Sequence, residues 1–365
     1  MTTHSLRLAT FISPHGYGHA ARTTAVMNAL HALEPEVQFE IFTQVPAWFF
    51  SDSLAAPFSY HALLTDIGLA QKNSLTEDLP ETLRRLADFM PFASSQLDAL
   101  AGQLRRLECR LVVCDISPLG IAAAHTAKLP AVLIENFTWD WIYEGYLAST
   151  PQLEPYVGLL RRLFTSADYH IQTEPVCYPN SADLTTGPVS RASRTPAHVT
   201  RQKLGIPANA TAILLTMGGI PWDYTFLAQL QECPEYYFII PGGSQRHEVS
   251  DNLVLLPHHS AFYHPDLVNA SDAVVGKLGY STLAEVYQAG IPFGYIPRPG
   301  FRESEVMRHF ADRHIPSCPI TAAQFESGTW LEELPELLAQ PRRPRGQAKG
   351  AEEAARFIGN LLKGQ

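Results

Sequence analysis

Two histidines and two glycines lie close together near the start of the chain, in the run Phe11-Ile-Ser-Pro-His-Gly-Tyr-Gly-His-Ala-Ala-Arg22. Leu6 to Ser13 is apolar enough for a buried strand, and Ala20 to Leu33 repeats apolar residues at helical spacing. The run is therefore a strand-to-helix turn. Glycine at 16 and 18 removes the Cβ that would hold a ligand off the backbone, and the helix beyond offers unpaired N–H groups. His19 stands at the mouth of that helix. The spacing Gly16-x-Gly18-x-x-Ala21 also fits a dinucleotide fingerprint, which needs an acidic residue at the end of the second strand to hold a ribose. That strand, Val37 to Phe42, runs into Thr43-Gln44 and carries Glu40 in its middle, which argues against the dinucleotide reading.

Asp115 ends the apolar run Leu111-Val-Val-Cys-Asp115. A carboxylate there can reach His19, fix the imidazole tautomer and stabilise the imidazolium, which makes a general base. Capping of the following helix is the competing use of Asp115. A second strand–turn–helix, Gly276-Lys-Leu-Gly-Tyr-Ser-Thr-Leu-Ala-Glu285, gathers Lys277, Gly279, Ser281 and Thr282. This set suits a diphosphate, with Glu285 placed to accept bonds from ribose hydroxyls; a Ser281–Glu285 capping arrangement is the alternative. Arg298, Arg302 and Glu303 follow the next strand. Glu135-Asn-Phe-Thr-Trp-Asp-Trp-Ile-Tyr143 mixes aromatics with Asn136 and Asp140, which suits sugar stacking and hydroxyl recognition as well as core packing. Trp48, Phe49 and Phe50 are open to the same two readings.

The elements that must position these groups alternate from the start of the chain. Strands at 7–13, 37–43, 111–115, 131–135 and 169–172 are separated by helices at 19–33, 80–108 and 118–128. A second series begins at Ala212-Ile-Leu-Leu-Thr-Met-Gly-Gly219 and continues with strands near 236–240, 253–256, 273–275 and 293–296. Apolar strands alternating with helices imply parallel sheets covered on both faces. The fold expected is α/β, with two Rossmann-like, doubly wound domains facing across a cleft. Their expected bounds are 1–180, a linker over 181–200, 201–345, and a C-terminal helix over 346–365.

At 365 residues the chain is long enough for two cores, and a net charge of −9 argues against a general nucleic-acid binder. The five cysteines form no CxxC pair or metal-like cluster and read as reduced thiols of a cytoplasmic protein. No signal sequence or apolar stretch of about 18 residues is present, so no transmembrane segment is expected. The basic run Pro341 to Arg345 reads as a solvated tail, with peripheral membrane contact as the alternative.

Taken together, these residues resemble the GT-B glycosyltransferases. Gly16-x-Gly18-His19 is similar to the glycine-rich loop of the lipid-II-forming N-acetylglucosaminyltransferases and to the Gly-His of small-molecule UDP-glycosyltransferases. Gly279-x-Ser281-Thr282-x-x-Glu285 is similar to their nucleotide-binding turn. A closer resemblance is to the glycosyltransferase-like N-terminal half of plant arabinokinases. It is carried by His15-Gly-Tyr-Gly-His-Ala-Ala-Arg22, Asp115-x-x-Pro118, Asn136 to Tyr143, Gly218-Gly219 and Gly276 to Thr282. The chain looks like a free-standing version of that half.

The resemblance implies an inverting transferase that moves a sugar from a nucleotide-sugar donor, most simply a UDP-sugar, to a hydroxyl of a small-molecule or lipid-linked acceptor. His19 would be the base and Asp115 its orienting carboxylate. Gly218, Gly219, Lys277, Gly279, Ser281, Thr282, Glu285 and Glu303 would hold the donor, and His15, Gly16, Gly18, Asn136, Trp139 and Asp140 the acceptor. The sequence contains no Asp-x-Asp, so metal independence and no further cofactor are expected. A nucleotide-sugar 2-epimerase and a non-catalytic nucleotide-sugar-binding module are the alternatives.

Overall fold

The computed structural model describes residues 6–219, 222–343 and 349–364. The chain divides into two compact units. The first comprises Met1–Ala70, Glu77–Ser190 and Ala348–Gln365; the second comprises Gln71–Thr76 and Arg191–Gln347.

In chain order the strands are β1 (Arg7–Ile12), β2 (Gln38–Thr43), β3 (Phe58–Ala62), β4 (Gln71–Asn73), β5 (Thr76–Glu77), β6 (Leu111–Asp115), β7 (Ala131–Glu135), β8 (Tyr169–Thr173) and β9 (Leu184–Thr186). They continue with β10 (Thr211–Thr216), β11 (Tyr236–Pro241), β12 (Glu248–Ser250), β13 (Leu253–Leu256), β14 (Ala273–Lys277), β15 (Phe293–Ile296) and β16 (Ser317–Pro319). The sheet of the first unit has the order β3-β2-β1-β6-β7-β8-β9, and every pair in it is parallel. That of the second has the order β12-β13-β11-β10-β14-β15-β16, parallel except for β12.

Each sheet starts in its middle, builds to one edge, then returns to the other side of its first strand. The chain therefore leaves β1 and β6 in opposite directions, and likewise β10 and β14. This splits the covering loops and opens a crevice beyond the strand ends, where such sheets bind ligands. Register places Ile12 beside Asp115 in one sheet and Thr216 beside Gly276 in the other.

The central strands are buried because helices cover both faces. β10 shows the period of two directly: Ala212 and Leu214 enter one core cluster, Ile213 and Leu215 the other. Leu75, from the short segment that joins the second unit, is buried in the latter cluster. In the first unit Ile358 and Leu362 of the helix Gly350–Lys363 join Leu8, Met27 and Leu30 in the core. That C-terminal helix packs along the helix Gly18–Leu33, which carries His19.

Four features differ from the sequence expectation. The long helix at 80–108 is two helices, Leu79–Phe89 and Ser94–Arg106, interrupted at Pro91, which has no N–H to continue the ladder. The segment 181–200 is not a plain linker, since β9 pairs with β8 and the helix Ala197–Leu204 starts within it. Edge strands β3 and β16 were not legible because they are only partly covered and lack a continuous apolar run. The C-terminal helix is grouped with the first unit, while the expected boundary at 345–346 lies outside the described residues. No helix among the described residues is long and apolar enough to cross a membrane. All five cysteines are free thiols.

Candidate functional site

The turn after β1 is closed by Gly16 at φ +74, a conformation that favours glycine. A Cβ there would meet nothing within 4 Å, so the backbone angle and not crowding requires this glycine. The helix then starts at Gly18. His19, Arg22 and Thr23 fall at i, i+3 and i+4 on one helix face, and all three reach Asp115 at the end of β6. His19 Nδ1 lies 2.9 Å from Asp115 Oδ1, Arg22 Nε donates to Oδ2 at 2.9 Å, and Thr23 Oγ1 donates to Oδ2 at 2.9 Å. Arg22 Nη2 closes a second bond to Oδ1 at 2.5 Å.

A carboxylate only accepts and a guanidinium only donates. The 2.9 Å contact with Asp115, shorter than the 3.4 Å approach of Arg22 Nη2 to the same nitrogen, favours a proton on His19 Nδ1, which in the neutral ring leaves Nε2 to accept. Burial alone would raise the Asp115 carboxyl, but the charge of Arg22 and the hydrogen bonds from His19 and Arg22 outweigh it and hold the group below the usual carboxylate range. Asp115 is thus ionised and aimed. It does not cap the next helix; Ser117 does, accepting from Gly120 N–H at 3.1 Å. Between them Ile116 is buried at φ 44, a strained position for a β-branched residue and one that turns the chain sharply after Asp115.

The expected acceptor residues divide. His15, Gly16 and Gly18 lie in the partly exposed turn beside His19. Asn136 is buried and accepts from Arg22 Nη1 at 2.7 Å, so it braces the arginine. Trp139 is fully buried: its indole N–H donates to Asp66, and its ring meets His15, Phe137 and Tyr143. Asp140 is buried and takes a 3.2 Å bond from Arg161 Nε. Phe49 and Phe50 belong to the core, with Trp48 packed at its margin. Glu40, the carboxylate weighed for a dinucleotide ribose, is buried and bonded to Arg7 and His61.

In the second unit β14 passes so close to β10 that a Cβ on Gly276 would lie 1.9 Å from the Thr216 carbonyl oxygen. Only glycine permits that approach. It brings the loop after β10 against Lys277: a Cβ on Gly218 would sit 3.6 Å from Lys277 Nζ. Lys277 makes no hydrogen bond or ion pair among the described residues. Burial, helped by the nearby charge of Arg298 and opposed by Glu303, lowers its ammonium to about 8. Beyond it Gly279 is the N-cap of the helix Tyr280–Ala289 and supplies no side-chain cap. The hydroxyls of Ser281 and Thr282, in the first turn, also have no hydrogen-bond partner among the described residues. An unpaired lysine, an uncapped helix start and two unused hydroxyls form an anion-binding arrangement. Gly219 lies in the same turn, and Glu303 is buried in the first turn of the helix Arg302–His314.

Glu285 is not part of a cap. Its Oε1 accepts from Arg191 Nε at 3.0 Å and Nη2 at 2.9 Å, while Oε2 lies 2.8 Å from His264 Nδ1. Burial would raise this carboxyl, and Arg191 and His264 reverse the effect and lower it. Of the carboxylate's roughly four acceptor positions, three are used among the described residues, which leaves one on Oε2. His264 Nε2 approaches Thr216 Oγ1 at 3.5 Å, which joins this pair to the glycine turn after β10.

No protein-family profile matches the chain. It is 25% identical over 359 residues to L-arabinokinase of Arabidopsis thaliana, covering 97% of this chain and 34% of the relative. The chain thus spans about a third of that protein's length. It is 22% identical over 261 residues to the UDP-N-acetylglucosamine–N-acetylmuramyl-(pentapeptide) pyrophosphoryl-undecaprenol N-acetylglucosamine transferase of Halalkalibacterium halodurans, covering 66% of each. Among solved structures it superposes on the spinosyn forosaminyltransferase SpnP with a TM-score of 0.61 at 15% identity, covering 99% of this chain and 95% of that one. The fold is that of the GT-B glycosyltransferases.

Within this GT-B fold, sequence reasoning overlooked Arg22, Thr23, Asp66, Arg191 and His264. Arg22 and Thr23 carried a signal in their helical spacing from His19. Asp66, Arg191 and His264 carried none, because their side-chain partners lie tens of residues away in the chain. No group of three or more His, Cys, Asp or Glu side chains suited to a metal occurs among the described residues.

Proposed function

We propose that the protein is an inverting glycosyltransferase that moves a sugar from a nucleotide-sugar donor, a UDP-sugar, to an acceptor hydroxyl without a metal ion. The observation that carries this reading is the buried His19–Asp115 pair, fixed by Arg22 and Thr23 at the switch point of the first sheet. The names of its relatives support the class, and the transferase of Halalkalibacterium halodurans supports UDP as the carrier and a lipid-linked acceptor alongside a small-molecule one.

His19 Nε2 takes the proton of the acceptor hydroxyl while Asp115 stabilises the imidazolium that forms. The freed oxygen attacks the anomeric carbon from the face opposite the nucleotide. As that bond forms, the bond to the diphosphate oxygen breaks and the configuration inverts. Lys277, the first N–H groups of the helix at Tyr280, and the Ser281 and Thr282 hydroxyls take up the charge growing on the diphosphate. Their positive field is what a divalent cation supplies elsewhere, and it supports the metal-independent reading. Glu285, held by Arg191 and His264, offers its remaining acceptor position to a ribose hydroxyl.

The test is transfer from a panel of UDP-, dTDP- and GDP-sugars, with the product's anomeric configuration read by NMR. His19→Ala is expected to lower kcat by about 10²- to 10⁴-fold. Transfer that survives this substitution unchanged removes the proposed base.

A further inference from the structure

Asp66 is a second buried carboxylate beside the His19 turn, and nothing in the reaction just described uses it. Four donors converge on it from three strand ends. Ser13 Oγ, after β1, donates to Oδ2 at 2.7 Å, and the Trp139 indole N–H, after β7, donates to the same oxygen. The N–H groups of Ile67 and Gly68, in Asp66's own loop after β3, reach Oδ1 at 2.7 and 3.3 Å.

Three of these partners, Ser13, Trp139 and Gly68, touch the His15–His19 turn or the strand end beneath it. Ser13 donates its backbone N–H to the Asp115 carbonyl at 3.2 Å, and its Oγ receives the His15 N–H at 3.4 Å. Trp139 meets the His15 ring edge-on at 5.0 Å. Gly68 is so close to that ring that an added Cβ would lie 2.8 Å from it, and the Gly68 carbonyl accepts from Tyr143. Leu69 N–H points at His15 Nδ1 at 3.4 Å. The imidazole thus lies against both Trp139 and the loop that Asp66 organises.

We propose that Asp66 is a positioning residue of this site, a buried clamp that fixes Ser13, His15 and Trp139 and so holds the turn bearing His19. This rests on the proposed role of His19 for its catalytic meaning, while the clamp itself rests on geometry alone. Burial pushes the Asp66 carboxyl up to about 6, even though the bonds from Ser13, Gly68 and Trp139 and the nearby imidazole of His19 favour its ionised form. The titratable groups around it are His19 and His15 from the turn and Tyr143 from the segment after β7, with the compensated Asp115–Arg22 pair one strand over. Protonation near pH 6 replaces one acceptor oxygen by a hydroxyl and leaves a donor facing donors, so the clamp loosens on mild acidification.

The experiment uses the full chain labelled with ¹⁵N-tryptophan. The Trp139 indole resonance is expected to follow a one-proton titration centred near pH 6 in the wild type, and to lose it in Asp66→Asn. Ser13→Ala, which keeps the carboxylate and removes one donor, is expected to move the midpoint upward. A second measurement is the rate at which diethyl pyrocarbonate modifies His15 at pH 7, read by peptide mapping. It should rise several-fold in both variants, with the circular dichroism spectrum unchanged. An indole resonance that is flat between pH 5 and 8, or that still titrates in Asp66→Asn, overturns the proposal, as does unchanged His15 reactivity in a folded Asp66→Asn protein. None of these readouts depends on transfer, so loss of the His19 base reading would show itself separately, in the His19→Ala assay.

Discussion

The two switch points of this molecule both lie where the chain leaves a sheet's central strands in opposite directions, and they treat charge in opposite ways. At the first, between β1 and β6, every charge is answered: Asp115 is held by Arg22, Thr23 and His19, and Arg22 is braced by Asn136. At the second, between β10 and β14, the turn around Lys277 keeps an ammonium without a hydrogen-bonding partner among the described residues and a helix start without a side-chain cap. A satisfied buried network stores orientation, which suits a base that must meet a proton at a fixed angle. An unsatisfied cationic turn stores affinity, which suits an anion that arrives and leaves.

If that contrast is real, removing charge at the two points must have different costs. Arg22→Met leaves Asp115 buried without its main compensating charge, and a loss of about 3–5 kcal/mol in unfolding free energy is expected from denaturant melts. A stability close to wild type would mean that the network is not what fixes Asp115. Lys277→Met should leave stability level or raise it, because a poorly solvated ammonium is exchanged for an apolar chain. UDP binding followed by calorimetry should nonetheless weaken by about 10- to 100-fold, the worth of one charge-assisted contact. Equal affinity in this variant would move the anion site elsewhere. The smallest effect is set by pH. Lys277 is protonated below about 8, so UDP affinity should fall as pH rises through that value, by at most about tenfold between pH 7 and 9. A flat profile would show that the ammonium does not touch the phosphates, and Lys277→Met should abolish whatever slope exists.

Much of this was legible in the chain. The buried strands announce themselves as apolar runs, and β1, β6 and β10 each lead into a glycine, a histidine or a carboxylate at the right end. Edge strand β3 was not legible because Ser59 and His61 interrupt its apolar pattern, as solvent on a partly covered edge allows. The site was legible in its single residues and not in their pairings. His19 and Asp115 were paired by reasoning about strand ends; Arg22 lay in the same motif and was passed over, since an arginine on a helix is ordinarily a solvated one. Trp139 and Asn136 went the other way. Their composition suits a sugar, and burial turns them to structural use.

By itself the sequence determined the two α/β series, the glycine turns at their starts, and the residue types at the strand ends. Those follow from local rules: periodicity, backbone freedom and the need to bury apolar runs. Only the tertiary structure decided which of those residues are spent on one another. Whether a carboxylate caps a helix, clamps a loop or orients a histidine depends on which donors the sheet order brings within about 3 Å. Asp115, Asp66 and Glu285 look alike in the sequence; their partners, supplied by the helix after β1, the turns after β1 and β7, and the segment after β9, make them an orienting group, a clamp and a held acceptor.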